Sequence, residues 1–175
     1  MNTRTVAALL LVGTTLVAQA PFQAPKPTPE HLRLAMWVGA WTGEWVGREN
    51  PFGVPAGTYP FKGSGEWLHG RFHVLFKWDY AATSPTGAYQ ELSIFGYDAE
   101  KNQQVLFDFD SFGTQAEFRG SFAGQAWTYK STLGNPAWHR FTVTVVDARR
   151  CTWTNEYSKD GQAWTFFGEG RMTKK

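Results

Sequence analysis

The residues of this chain best suited to chemistry are carboxylates and imidazoles set into stretches that otherwise read as strands. Glu66 and His73 flank the pair His69-Gly70. A two-residue turn there, with glycine supplying the positive φ, places Trp67 opposite Phe72 and Glu66 opposite His73. In a sheltered space such a pair is a carboxylate-oriented imidazole capable of proton transfer. On the surface it is an ion pair of little energetic worth. The alternation puts it on the face opposite Trp67 and Phe72, which makes the exterior its expected place.

Asp108 and Asp110 share a face at a spacing of two, in a strand context that disfavours aspartate. Paired carboxylates at a suitable separation serve glycoside chemistry. Here they alternate with Val105, Phe107 and Phe109, so the expectation is that the aspartates face water. Glu44, Glu156 and Glu169 fall on three strands that closure of a sheet could bring together, and Arg171 completes a possible polar cluster. His31, His69, His73 and His139 lack metal-ligand spacing on any one element. A single imidazole in a barrel pocket could hold haem, with His139 as the candidate. Nothing else implies a cofactor, and no metal site is expected. Gly-x-Ser-x-Gly, His-Glu-x-x-His, phosphate-loop and paired-cysteine motifs are absent, which disfavours several common enzyme classes. No catalytic residue is assigned.

The aromatic content is the unusual quantity: 9 Trp, 6 Tyr and 14 Phe make up 17% of 175 residues, too many for surface decoration. On alternating positions they either fill a barrel or line a cavity for an apolar ligand. The candidate ligand-binding residues are Trp41, Trp45, Trp67, Phe76, Trp78, Phe107, Phe109, Trp153, Tyr157 and Trp164. Gly43, Gly47, Gly63 and Gly65 lie beside them and would leave room on an inner face.

These residues must be held by strands. Thr28 caps a short helix with Pro29 in its first position and Glu30 in its first turn, and Leu32, Ala35 and Met36 share a helical face. Gly39 ends it. From Trp41 the period changes to two, and about ten strands with short connections follow. The last two form a hairpin around residues 158–161, which would put Trp153, Asn155 and Tyr157 on one face with Trp164 and Phe166. Consecutive hairpins give an up-and-down meander, and closing it removes the exposed edges. The expected fold is therefore all-β: an antiparallel up-and-down barrel of about 8–10 strands behind a short N-terminal helix. A two-sheet sandwich is the alternative.

The remaining composition bounds the setting. Seventeen basic and fifteen acidic residues give a net charge of +2 without runs, so no nucleic-acid footprint is expected. Cys151 is the only cysteine, which rules out an intrachain disulfide. Residues 1–20 read as a signal peptide: Arg4, an apolar run over residues 6–17, then Ala18-Gln19-Ala20. The run is too short for a membrane span, so no stable anchor is expected once it is removed. Residues 21–28 read as a proline-rich tether and residues 29–175 as the barrel domain. A periplasmic or extracellular location follows from that reading.

A helical lead-in followed by Gly39-Ala40-Trp41 resembles the lipocalin, or calycin, pattern. More of the chain resembles the bacterial family called domain of unknown function 1579. The matching pieces are Pro29-Glu30-His31, Val38 through Glu44, Gly65-Glu66-Trp67, Ser93 through Asp98, Phe109-Asp110-Ser111, Asn155 through Ser158, Asp160-Gly161, Trp164 and Glu169-Gly170. The resemblance implies a lipocalin-like barrel and no particular reaction. It also implies a late basic residue packed on the first-strand Trp41, a role for which Arg171 is best placed. The expected function is binding of a small apolar or amphipathic ligand in an aromatic cavity. The alternatives are a barrel hydrolase or isomerase using inward carboxylates, and a structural or protein-binding barrel.

Overall fold

The computed structural model describes residues 23–175; the signal-peptide reading and the start of the tether lie outside them. Residues 23–28 have no regular structure. A five-residue helix α1 (Pro29–Arg33) runs into a 3₁₀ turn (Leu34–Trp37), and ten strands follow. They are β1 (Gly39–Gly47), β2 (Gly57–Trp67), β3 (His73–Tyr80), β4 (Tyr89–Asp98) and β5 (Gln103–Asp110), then β6 (Gln115–Ala123), β7 (Ala126–Ser131), β8 (Trp138–Asp147), β9 (Arg150–Ser158) and β10 (Thr165–Lys174). Every strand pairs antiparallel with its neighbours in sequence, and β1 pairs with β10, so the barrel closes. Closure leaves no strand edge unpaired.

The helical lead-in is tied down differently from the expected Leu32–Ala35–Met36 face. Leu32 and Ala35 are exposed, whereas His31, Leu34 and Trp37 are buried. A spacing of three suits the tighter 3₁₀ turn, in which residues i and i+3 eclipse. His31 Nδ1 accepts the Thr28 backbone N–H at 3.1 Å, and the Trp37 carbonyl accepts the Trp41 indole N–H at 3.1 Å. Trp37 thereby enters one end of the barrel. Its ring stacks on Phe95 at 4.0 Å and meets Phe76, Trp78 and Trp127 edge-on.

The β2–β3 connection also departs from expectation. Glu66 pairs with Leu75 and Trp67 with Val74, while His73 pairs with Gly96 of β4. Residues 68–72 form the turn, with a short 3₁₀ segment at His69–Arg71, where Gly70 and Arg71 take positive φ. Glu66 and His73 are exposed and are not partners. At the last hairpin the connection spans residues 159–164, and a β-bulge between Phe166 and Gly168 shifts the face. Phe167 points inward while Phe166 stays exposed, with the Arg48 guanidinium 4.9 Å from its ring.

Candidate functional site

Directly paired residues of antiparallel strands share a face, so the register decides what the barrel encloses. Near the helical end the interior is solid. Trp37, Trp41, Phe76, Phe95, Leu106, Val143, Cys151 and Met172 are each at most 2% exposed. At the opposite end, where the connections 48–56, 81–88, 111–114, 132–137 and 159–164 gather, many inward-facing residues are only half-buried. Tyr80, Tyr89, Glu91, Asp108, Asp110, His139, Asn155 and Tyr157 all belong to this group. Inward direction combined with partial exposure means that solvent reaches these residues: the barrel has a packed floor and a mouth chamber partly filled by the buried Trp45, Tyr59 and Phe167.

One wall of the chamber is acidic. Glu91 pairs with Trp78 on one side and Asp110 on the other, and Asp108 pairs with Ser93. Trp78 belongs to the core, so all three carboxylates face inward. The Trp78 indole N–H donates to Ser93 Oγ at 2.9 Å, and Ser93 donates onward to Asp108 Oδ1 at 2.6 Å. Asp110 Oδ1 accepts the backbone N–H groups of Phe112 and Thr114, both at 2.9 Å, and so shapes the β5–β6 turn. Burial, then the Asp108 and Asp110 charges, hold the Glu91 carboxyl well above the ordinary range. Burial lifts Asp108 to about 7, against the pull of the Ser93 hydrogen bond. None of the three has an ion-pair partner among the described residues.

Aromatic hydroxyls surround this wall. Tyr80 and Tyr89 stack at 4.1 Å, nearly parallel, and Phe112 continues the stack beyond Tyr89 at 5.3 Å. Tyr80 and Tyr89 also line an open cleft of about 380 Å³ at the rim, with Asp79, Ala88, Gln90 and Ser111. Tyr129 is fully buried, and its hydroxyl has no hydrogen-bond partner among the described residues. Burial first, then the nearby Asp108 charge, keep that phenol protonated.

The other wall carries His139, which pairs with Tyr157. Its ring lies 5.3–5.4 Å from those of Phe52, Phe118 and Phe167. Desolvation by these neighbours pushes the imidazole down to about 4, so it is neutral near pH 7. Its Nε2 lies 3.4 Å from the Asn155 amide nitrogen. Phe52, carried by the 48–56 connection, folds over this wall against Phe167 at 5.6 Å.

The aromatic residues singled out in the sequence divide into three groups. Trp41, Trp45, Phe76, Trp78 and Trp153 do face inward, but they are buried in the packed core. Trp67 and Tyr157 are half-buried on the inner face. Phe107, Phe109 and Trp164 are outside. Phe107 pairs with Ile94 and Glu117, opposite in parity to Asp108, and Phe109 is 42% exposed. Trp164 lies on the exterior beneath the Arg140 guanidinium, 4.2 Å from its ring.

The expected polar cluster does not assemble inside. Arg171 binds Glu44 at 2.6 Å on the surface, Glu156 takes a bidentate grip from Arg140 at 2.7 and 2.8 Å, and Glu169 is exposed. These residues have the parity opposite to Trp45, Trp153 and Gly170, which the barrel buries. The basic residue on Trp41 is Lys174, with its ammonium 4.8 Å from the ring, in place of Arg171.

Alternation does not single out Glu91 and assigns Asp108 and Asp110 to the outer face, whereas the β3–β4–β5 pairing turns all three inward. The available signal was in β4, where Tyr89, Glu91, Ser93, Phe95 and Tyr97 form one alternating series. Its aromatic members mark the inner side and carry Glu91 with them. Among the described residues, no group of three or more His, Cys, Asp or Glu side chains converges as metal ligands would.

No family model matches the chain, and no curated protein does. Among solved structures, the crystal structure of Rv2717c from M. tuberculosis superposes with a TM-score of 0.62 at 12% identity. The match covers 85% of this chain and 98% of that one. It is a likeness of fold, and with the closed ring of strands it makes this chain an all-β, ten-stranded antiparallel barrel fronted by a short helix.

Proposed function

We propose that this barrel binds a small amphipathic molecule in the chamber at its mouth, with the apolar part of the ligand among aromatic rings. The observation that carries this reading is the gradient along the inner face, from rings without solvent contact at the floor to half-buried rings and carboxylates at the opposite end. The apolar part of the ligand lies between the Tyr80–Tyr89 stack and the Phe52–Phe167 pair. The solid floor sets the depth of entry.

The signal-like residues 1–20 support export to the periplasm or beyond, and the motif series from Pro29 to Gly170 supports kinship with the domain of unknown function 1579 barrels. N-terminal sequencing of the mature protein tests export directly. Tryptophan emission tests binding, because the Trp78 indole donates to Ser93 beside the Asp108 carboxylate. Titration with fatty alcohols, isoprenoids and small aromatic compounds is expected to shift or quench it saturably. A spectrum unmoved by every compound would remove the binding function.

A further inference from the structure

The acidic wall is out of keeping with a purely apolar ligand. Glu91, Asp108 and Asp110 share the inner face of two adjacent strands, and no basic side chain answers them. Asp110 is committed to its turn by two backbone N–H groups. Asp108 accepts the Ser93 hydroxyl, and the same Ser93 side chain lies beside the Glu91 carboxyl. A purely apolar guest would leave these carboxyl groups buried without a ligand partner, which is costly. Beside them the buried Tyr129 hydroxyl is unpaired, with a lone pair free to accept a hydrogen bond. Three acceptors on one side of a chamber, flanked by stacked phenol rings, describe a receptor for a donor-rich cation. The rings themselves attract such a charge through their π faces.

Resting on the mouth chamber as the ligand site, we propose that its ligands are organic amines: a protonated amino group bound to Glu91, Asp108 and the Tyr129 hydroxyl, with an aromatic or aliphatic body against Tyr80 and Tyr89. Where a carboxyl on this wall holds a proton before binding, that proton goes to solvent as the ammonium takes its place, and no covalent bond is made or broken. A bare metal ion is a poorer fit, because the carboxylates do not converge and the rings contribute no ligands.

Isothermal titration calorimetry on the mature protein with two matched series tests this. The first series is 2-phenylethylamine, 2-phenylethanol and phenylacetate; the second is octylamine, octanol and octanoate. Each amine is expected to bind about tenfold or more tighter than its alcohol, and the carboxylates weakest of all, as charge-assisted hydrogen bonds imply. Glu91→Gln and Asp108→Asn should each erase most of the amine preference, and exterior Glu117→Gln should leave it unchanged. Alcohols or carboxylates binding as tightly as the amines would overturn the amine assignment and leave the chamber as a ligand site. An amine preference that survives both carboxamide variants would also overturn it. If none of the six compounds binds, both the amine assignment and the chamber fall together.

Discussion

The Ser93 hydroxyl lies 2.6 Å from the Asp108 carboxylate, across the β4–β5 ladder and inside the barrel. That contact favours the charged carboxylate, yet burial outweighs it and lifts Asp108 to about 7. The native state therefore holds a proton that the unfolded chain releases near the ordinary aspartate value, and stability falls as pH rises from about 4 to about 7. Asp108→Asn removes the cost. Its unfolding free energy should exceed that of the wild type at pH 8, by about 2 kcal/mol after allowance for partial solvent contact, and hardly at all at pH 4, as urea midpoints at the two pH values would show. Equal gains at both pH values would contradict the buried, proton-holding carboxyl.

His139 works in the opposite direction. Desolvation among Phe52, Phe118 and Phe167 depresses it to about 4, so below its ordinary value near 6.5 the unfolded chain takes up a proton that the native barrel refuses. Stability attributable to His139 is lost as pH falls from about 6.5 to about 4. His139→Phe should be more stable than the wild type by about 2 kcal/mol at pH 4.5 and nearly equal to it at pH 7.5. Urea midpoints at the two pH values measure this. The two groups oppose each other between pH 4 and 6.5, so the single variants should expose slopes that the wild type conceals.

Gly65 has no room for a methyl group. A Cβ there would sit 2.0 Å from the Trp37 carbonyl oxygen and 2.9 Å from the Phe76 ring. The first obstacle is backbone, so the 3₁₀ turn itself must move. Gly65→Ala is expected to cost about 3 kcal/mol, comparable to emptying the plug with Trp37→Ala at about 3–5 kcal/mol. Chemical denaturation of the two variants checks both values. A Gly65→Ala protein as stable as the wild type would mean that Trp37 does not enter the barrel as described.

Two late basic residues should behave differently. Lys174 lies over the Trp41 ring and is partly shielded, whereas Arg171 meets Glu44 in solvent. Lys174→Ala should lower stability by about 0.5–1 kcal/mol, and Arg171→Ala by no more than a few tenths. Reversal of that order in denaturant titrations would argue against Lys174 as the partner of the first-strand tryptophan.

Cys151 is 1% exposed, and burial pushes its thiol up to about 12. Its thiolate fraction in the folded protein near neutrality is negligible, and thiolate is the reactive form. Iodoacetamide at pH 8 should leave the folded protein unlabelled while modifying it fully in concentrated urea. Mass spectrometry reads the difference.

Much of the barrel was legible because β1, β2 and β3 each set an aromatic or glycine series against a polar one, and their inner faces follow directly. The strand β5 defeated that logic. Its exterior carries Val105, Phe107 and Phe109, beside Leu92 and Ile94 of β4, so its greasier face is the outer one. Alternation distinguishes two faces but does not say which is enclosed; only pairing with β4 decides that. The 158–164 hairpin failed for a related reason. A bulged residue at Phe167 reverses parity, and nothing in the composition of that stretch announces a bulge. The carboxylate wall lay hidden behind the ordinary rule that acids face water, from which Glu91, Asp108 and Asp110 depart.

The ring of strands is shut by hydrogen bonds between β1 and β10, and the Glu44–Arg171 bridge across that seam joins residues 127 apart. A chain made from its N-terminus exposes one raw edge of β1 for as long as synthesis continues. Bringing such distant segments together costs loop entropy before any contact repays it, so assembly is slow and the waiting edge invites mispairing. Closure of the ring is therefore the last step of assembly, and the seam is where a late strand must find an early one.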